Sequence, residues 1–138
     1  MDKSEILAFL NANQVCFLAT VEGTLPRVRG MMLYRADEHG IIFHSGQGKE
    51  MCEQLAINPS VEICVFNQQD MVQVRVSGTA EFLDDLALKK EIVAARPFLQ
   101  PMVDQFGYDP LLVFRVKDCT ATVWTMQTNM APKTFVKL

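Results

Sequence analysis

Residues 61–82 read VEICVFNQQDMVQVRVSGTAEF, and their pattern decides the fold class. Val61–Phe66 is a short, mostly apolar run, and from Met71 to Phe82 apolar and polar residues largely alternate. In an extended chain Val72, Val74 and Val76 share one face, while Gln73, Arg75 and Ser77 share the other. Asn67-Gln68-Gln69-Asp70 between the runs is polar and suited to reversing the chain. Two strands joined so closely must be antiparallel, because a parallel pair needs a crossover of roughly a dozen residues or more.

The same pattern extends in both directions. Upstream, Asp2–Asn11 predicts an amphipathic helix, with Asp2 as cap, Glu5 at the capping-box position, and Ile6, Leu7 and Leu10 as its buried stripe. Val15–Val21 (VCFLATV) is rich in β-formers and closes at Glu22-Gly23-Thr24, and Arg27–Arg35 reads as its hairpin partner. Asp37-Glu38-His39-Gly40 turns the chain into a third strand, Ile41–Ser45. Gly46-Gln47-Gly48 leads into a helix over Lys49–Ile57, ended by Asn58-Pro59 because proline restricts the residue before it. Downstream, Asp84–Ala95 reads as a helix with Leu86, Leu88, Ile92 and Val93 inward, interrupted at Arg96-Pro97. Pro101 and Pro110 bracket a loop or short helix. Leu111–Val116 and Thr120–Met126 read as two more strands, and Thr134–Lys137 as a short last one.

The expected architecture is mainly β with flanking helices: six or more mostly antiparallel strands, closing wholly or partly into a barrel that hides its edges. No repeat or linker interrupts the pattern, so residues 1–138 are expected to form one domain. Thirteen lysines and arginines against sixteen acids give a net charge of −3. That balance argues against a nucleic-acid partner. The apolar runs are too short to span a bilayer, and Asp2 and Glu5 do not suit a signal peptide, so no membrane partner is expected. Cys16, Cys52, Cys64 and Cys119 form no CxxC, which points to a reducing cytoplasm. His39 and His44 match no metal-ligand or nucleophile pattern.

Chemistry gathers at two short segments. Ser45-Gly46-Gln47-Gly48-Lys49 lies between a strand and a helix, where glycines let backbone N–H groups approach a ligand. The helix N-terminus adds partial positive charge and Lys49 a full one, which together make a phosphate cradle. The spacing is not that of a P-loop. Alone, the segment reads more simply as a glycine turn with a solvated lysine. In Pro26-Arg27-Val28-Arg29-Gly30-Met31 the two arginines share a strand face and offer planar forks suited to phosphate, or to solvent. Arg29 and Lys49 lie within one short stretch of chain and are able to converge on one anion, a reading that stands level with two solvated surface segments. Gln73 lies on a polar strand face with a donor and an acceptor to offer. Trp124, the only tryptophan, reads as core, as a stacking platform or as a subunit contact.

The ordered series Phe17-Leu18-Ala19-Thr20, Pro26 to Met31, Ser45 to Lys49, Asn58-Pro59 with Val61, and Gln73 with Ser77-Gly78 and Ala80-Glu81 resembles the pyridoxamine 5′-phosphate oxidase-like, FMN-binding split-barrel family. The resemblance covers nearly the whole chain. It implies a six-stranded antiparallel split barrel that forms a homodimer, with FMN in the clefts between subunits. It places Arg29, Ser45 and Lys49 on the flavin phosphate, with Gly30 and Met31 in the same binding segment. It places Gln73 at the ring edge, and Trp124 as an aromatic supplied across the subunit boundary. Two departures stand out: Gly48 occupies the position where the oxidase carries an arginine, and the C-terminal arginine–histidine pair that holds the pyridoxal substrate is missing. Both speak against vitamin B6 oxidation.

The expected function is that of an FMN-dependent oxidoreductase or flavin reductase acting on a small-molecule substrate, with a nicotinamide donor. FMN carries such chemistry, so no protein nucleophile is required. The alternatives are a non-catalytic flavin-binding redox sensor or carrier, or a deazaflavin- or haem-binding barrel, for which His44 is the one histidine suitably placed.

Overall fold

The computed structural model describes residues 1–138. Helix α1 (Lys3–Ala12) starts with the expected capping box: Asp2 accepts from the Glu5 N–H at 2.9 Å and Glu5 accepts from the Asp2 N–H at 2.7 Å. Strands β1 (Val15–Glu22), β2 (Leu25–Met32), β3 (Arg35–Asp37) and β4 (Gly40–Gly46) follow. After α2 (Glu50–Ile57) come β5 (Ser60–Asn67) and β6 (Val72–Leu83). Helix α3 (Leu86–Ala95), a 3₁₀ turn at Pro97–Leu99 and α4 (Gln100–Phe106) lead to β7 (Leu111–Thr125) and β8 (Val136–Lys137).

All pairings are antiparallel, in the order β2-β1-β5-β6-β7-β4-β3, with β8 on the flank of β7. In a flat sheet β2 and β3 would stand six strand spacings apart, roughly 29 Å. Yet only Leu33 and Tyr34 join them in the chain, a link that reaches roughly 11 Å at most. The sheet must therefore roll up until its two ends meet. They meet without pairing, since β2 and β3 share no ladder. The result is a barrel split along one seam.

The rolled sheet encloses a core built from the alternation seen in the sequence. Val74 and Val76 are fully buried beside Leu18, Ile63, Val65, Phe43 and Phe114. Ile6 and Leu10 of α1 and Met51, Cys52 and Leu55 of α2 join the same core. Strand β4 is buried on both faces. Ile41 and Phe43 point into the barrel, whereas Ile42 packs outward on Leu88 and Ile92 of α3.

Two boundaries differ from the sequence reading, and each has a physical reason. The run Arg27–Arg35 is not one strand, because at Leu33-Tyr34 the chain leaves β1 for a new partner, β4. Conversely, Leu111–Thr125 is one strand, not two. Its middle holds a bulge: the register passes from Ser77↔Thr120 to Thr79↔Lys117, so Asp118 and Cys119 together oppose Gly78. Asp118 adopts φ +55° there, which absorbs the extra residue without ending the strand. The barrel thus has six long strands, with β3 and β8 as short additions.

Gly78 is required by close approach. A Cβ there would lie 2.6 Å from Val116 Cγ1 and 2.8 Å from the Lys117 carbonyl oxygen. Gly78→Ala is expected to destabilise the protein by about 1–3 kcal/mol through overpacking. Urea unfolding curves of the two proteins, compared at equal slope, measure the difference.

Candidate functional site

A cleft of about 490 Å³ opens beside the seam. It brings together Gly30 and Met31 of β2, Ser45 of β4 and Lys49, four of the residues singled out from the sequence. Its cations are Lys49 and Arg96, and no carboxylate lines it. Met32, Phe98 and Met102 supply an apolar wall.

Local geometry explains the cationic end. Gln47 donates its N–H to the Pro110 carbonyl at 2.8 Å, which pins the turn after β4 to the base of β7. Gly48 adopts φ +87°, and nothing lies within 4 Å of where its Cβ would be. Lys49 is the N-cap of α2, caps with its backbone alone, and leaves its ammonium group exposed and free of any ion pair. Ser45 is buried beneath, and Cys52 of α2 donates its thiol to the Gly46 carbonyl at 3.6 Å. The open glycine turn, the helix N-terminus and the unpaired lysine share the character of anion-binding loops.

Arg29 does not line this cleft. It lies opposite Leu18 in the β1–β2 ladder, so its side chain heads for the inner side of the sheet. Its Nη1 donates to Thr20 Oγ1 at 2.7 Å and to the Leu18 carbonyl at 3.2 Å, and its Nη2 donates to Gln54 Oε1 at 2.7 Å. Partial burial lowers its pKa and the charge of Glu50, the first residue of α2, opposes that shift. Arg29 thus meets α2 from the sheet at Gln54, within reach of the Glu50 charge, whereas Lys49 caps the start of the helix.

Gln73 and Trp124 fall elsewhere. They are register partners on β6 and β7 and line a second cleft of about 760 Å³ with Arg75 and Lys133. Trp124 is half-buried, and its indole N–H donates to Asn129 Oδ1 at 2.8 Å. Within one chain, then, six of the seven candidate residues form two groups on separate clefts, and Arg29 lines neither.

The sequence reading overlooked the pair at the heart of the first cleft. Arg96 is buried, and its guanidinium donates to the carbonyls of Met32 at 3.3 Å and Leu33 at 2.6 Å and meets His44 Nε2 at 2.7 Å. An arginine can only donate, so Nε2 is the acceptor and the His44 proton sits on Nδ1. That bond also withholds Nε2 from a haem iron. Burial first, then the charges of Arg96 and Lys49, lower the His44 pKa to about 4. The Arg96 partners lie 52 to 64 residues away in the chain, so no local pattern could have revealed them.

A split barrel of antiparallel strands with a cationic, carboxylate-free cleft at a helix N-terminus is the class defined so far. Residues 2–110 match the family model described as pyridoxamine 5′-phosphate oxidase, and the chain belongs to that family. Among solved structures it is similar to a NimC/NimA family protein from Clostridium acetobutylicum, at 26% identity over 98% of this chain and 92% of the other, with a TM-score of 0.79. It shares its fold with General Stress Protein 26 from Bacillus anthracis, at 17% identity over the full length of both chains and a TM-score of 0.71. It also shares the fold of a pyridoxamine 5′-phosphate oxidase-related, FMN-binding protein from Nostoc punctiforme, at 15% identity over 99% and 96% of the chains and a TM-score of 0.64. No curated protein matches the sequence. No helix is long and apolar enough to cross a membrane.

His44 makes stability depend on pH. Its folded pKa, about 4, lies below the ordinary 6.5. Between those values the unfolded chain binds the extra proton, so this contribution is full above pH 6.5 and is lost as pH falls towards 4. Thermal melts at pH 7.5 and 4.5 should show a smaller drop for His44→Gln, which keeps an acceptor for Arg96 and does not titrate.

Proposed function

We propose that the chain binds FMN and works as an FMN-dependent oxidoreductase or flavin reductase on a small-molecule substrate, with a nicotinamide as donor. The observation that carries the reading is the first cleft: an exposed, unpaired Lys49 and an open glycine turn at a helix N-terminus, with no carboxylate among its lining residues. These groups suit a phosphate dianion, and the family membership and the FMN-binding relative from Nostoc punctiforme support the choice of flavin.

In this reading Lys49 and the N-terminal turn of α2 hold the phosphate, Ser45 lies beneath it, and Arg29 completes the positive field from the sheet side. Gly30 and Met31 border the same cleft, and Met32, Phe98 and Met102 give it an apolar wall. When bound, FMN supplies hydride and electron transfer, which suits a chain with no nucleophile–base pair in the cleft.

The reading also includes a homodimer. The outer face of the β1–β2–β5 sheet exposes Val15, Phe17, Val28, Met32 and Phe66, an apolar area of the kind that association covers. A second copy on this face would carry its Gln73–Trp124 cleft towards the Lys49 cleft and unite the two groups of candidate residues. The four free thiols suit a reducing cytoplasm.

The freshly purified protein should show a two-banded flavin spectrum and release FMN on denaturation. Arg29→Ala combined with Lys49→Ala should strip the flavin and leave a folded dimer by size-exclusion chromatography. A protein that is colourless and takes up no added FMN overturns the reading.

A further inference from the structure

We infer that Gln54 is a positioning residue that keeps the charge of Arg29 available to an anion; the inference rests on the phosphate reading above. Gln54 lies on α2 between the buried Met51 and Leu55, and is itself only 5% exposed. A buried amide must satisfy both of its ends. Its Oε1 accepts from Arg29 Nη2 at 2.7 Å and from the buried Thr20 hydroxyl at 2.5 Å. Its Nε2 donates to Glu22 Oε2 at 2.9 Å. Glu22 fixes which way the amide faces, because its carboxylate can only accept.

The consequence is electrostatic. Glu22 is the acid at the end of β1, and Gln54 stands between it and Arg29. The amide presents its N–H to the acid and its carbonyl to the arginine, so the two charges are linked without touching. Arg29 consequently makes no ion pair, whereas Arg27, Arg35 and Arg75 each pair with a carboxylate. With its three bonds to Leu18, Thr20 and Gln54, Arg29 is held in one orientation, and its Nε–H and one Nη2–H have no protein acceptor. A glutamate at position 54 would place a carboxylate directly on the guanidinium and cancel the charge. Glu22 is also the partner of Arg27, through Oε1 at 3.2 Å, so an apolar residue at position 54 would free its Oε2 to turn onto Arg29 to the same effect.

Equilibrium binding of FMN and riboflavin to the apoprotein, followed by quenching of flavin fluorescence, tests this. The two ligands differ only in the phosphate, so the ratio of their dissociation constants isolates its recognition. Gln54→Glu should lower FMN affinity on the order of tenfold or more and leave riboflavin affinity within about twofold, reducing the preference. Gln54→Met should reduce it too, and adding Glu22→Gln to Gln54→Met should restore it, which a purely structural role for Gln54 would not produce. Circular dichroism melts identify variants that do not fold, and Gln54→Met with its rescue decides if Gln54→Glu is among them.

If the wild type prefers FMN, Lys49→Ala abolishes the preference and the Gln54 variants keep it, the role of Gln54 is overturned and the phosphate site stands. Loss of affinity for both flavins in equal measure also overturns it. A wild type that binds FMN no better than riboflavin overturns the phosphate site and this inference with it.

Discussion

The two-residue link between β2 and β3 is the constraint on which the rest of the structure depends. It forces the ends of a seven-strand path together, although no ladder joins them, and so creates both the barrel and its seam. Such a seam leaves backbone groups without ladder partners, and these must find partners beyond the β2 and β3 ladders. Arg96 does this at Met32 and Leu33, the Gln14 carbonyl accepts from the Leu33 N–H, and the Ile42 carbonyl accepts from the Tyr34 N–H. Arg96 also stacks over the Tyr34 ring, with its guanidinium carbon 5.4 Å from the ring centroid. The cleft that carries the functional reading lies beside this seam and takes Arg96 and His44 from it.

Charge management follows from the same geometry. Three arginines are kept from carboxylates, and two of them bear on the site. Arg96 is satisfied by carbonyl oxygens and an imidazole, Arg29 by a carbonyl, a hydroxyl and an amide. Neutral acceptors orient a guanidinium without neutralising it, so neither arginine is tied up in an ion pair, although α2 itself opens with Glu50 and Glu53. Lys49 adds its charge at the helix cap through an exposed ammonium group.

Much of this was legible in the sequence because it is local. The alternation of Val72, Val74 and Val76, the Asp2–Glu5 capping box and the Asn58-Pro59 stop are each decided within a few residues, and they define the strands and helices. The glycines, helix start and lysine of Ser45–Lys49 marked that segment locally, and the ordered motifs pointed to the family. What was not legible depends on distant partners. The break at Leu33-Tyr34 reflects a change of neighbour and leaves no mark in the hydropathy. The continuity of β7 is hidden because the apolar run stops at Val116 and resumes only after Lys117-Asp118-Cys119, where the structure has a bulge opposite Gly78. Gln54 did leave a faint signal, a polar residue set among buried positions of α2. Arg96 left none, since Arg96-Pro97 looks like an ordinary helix stop.

The position of β7 has a consequence for how the chain assembles. It is the last long strand, yet it lies between β6 and β4 in the sheet. During synthesis β1, β2, β5 and β6 can pair in turn, while β4, with Ile41, Ile42 and Phe43 all destined for burial, has only the short β3 beside it. Closure waits for residues 111–125, near the C-terminal end of the chain. A topology this dependent on pairing across long sequence distances folds slowly for its size and exposes its most fully buried strand, β4, longest. Truncations before β7 therefore remove the keystone of the barrel and leave β4 as an open edge, the form in which such strands recruit one another.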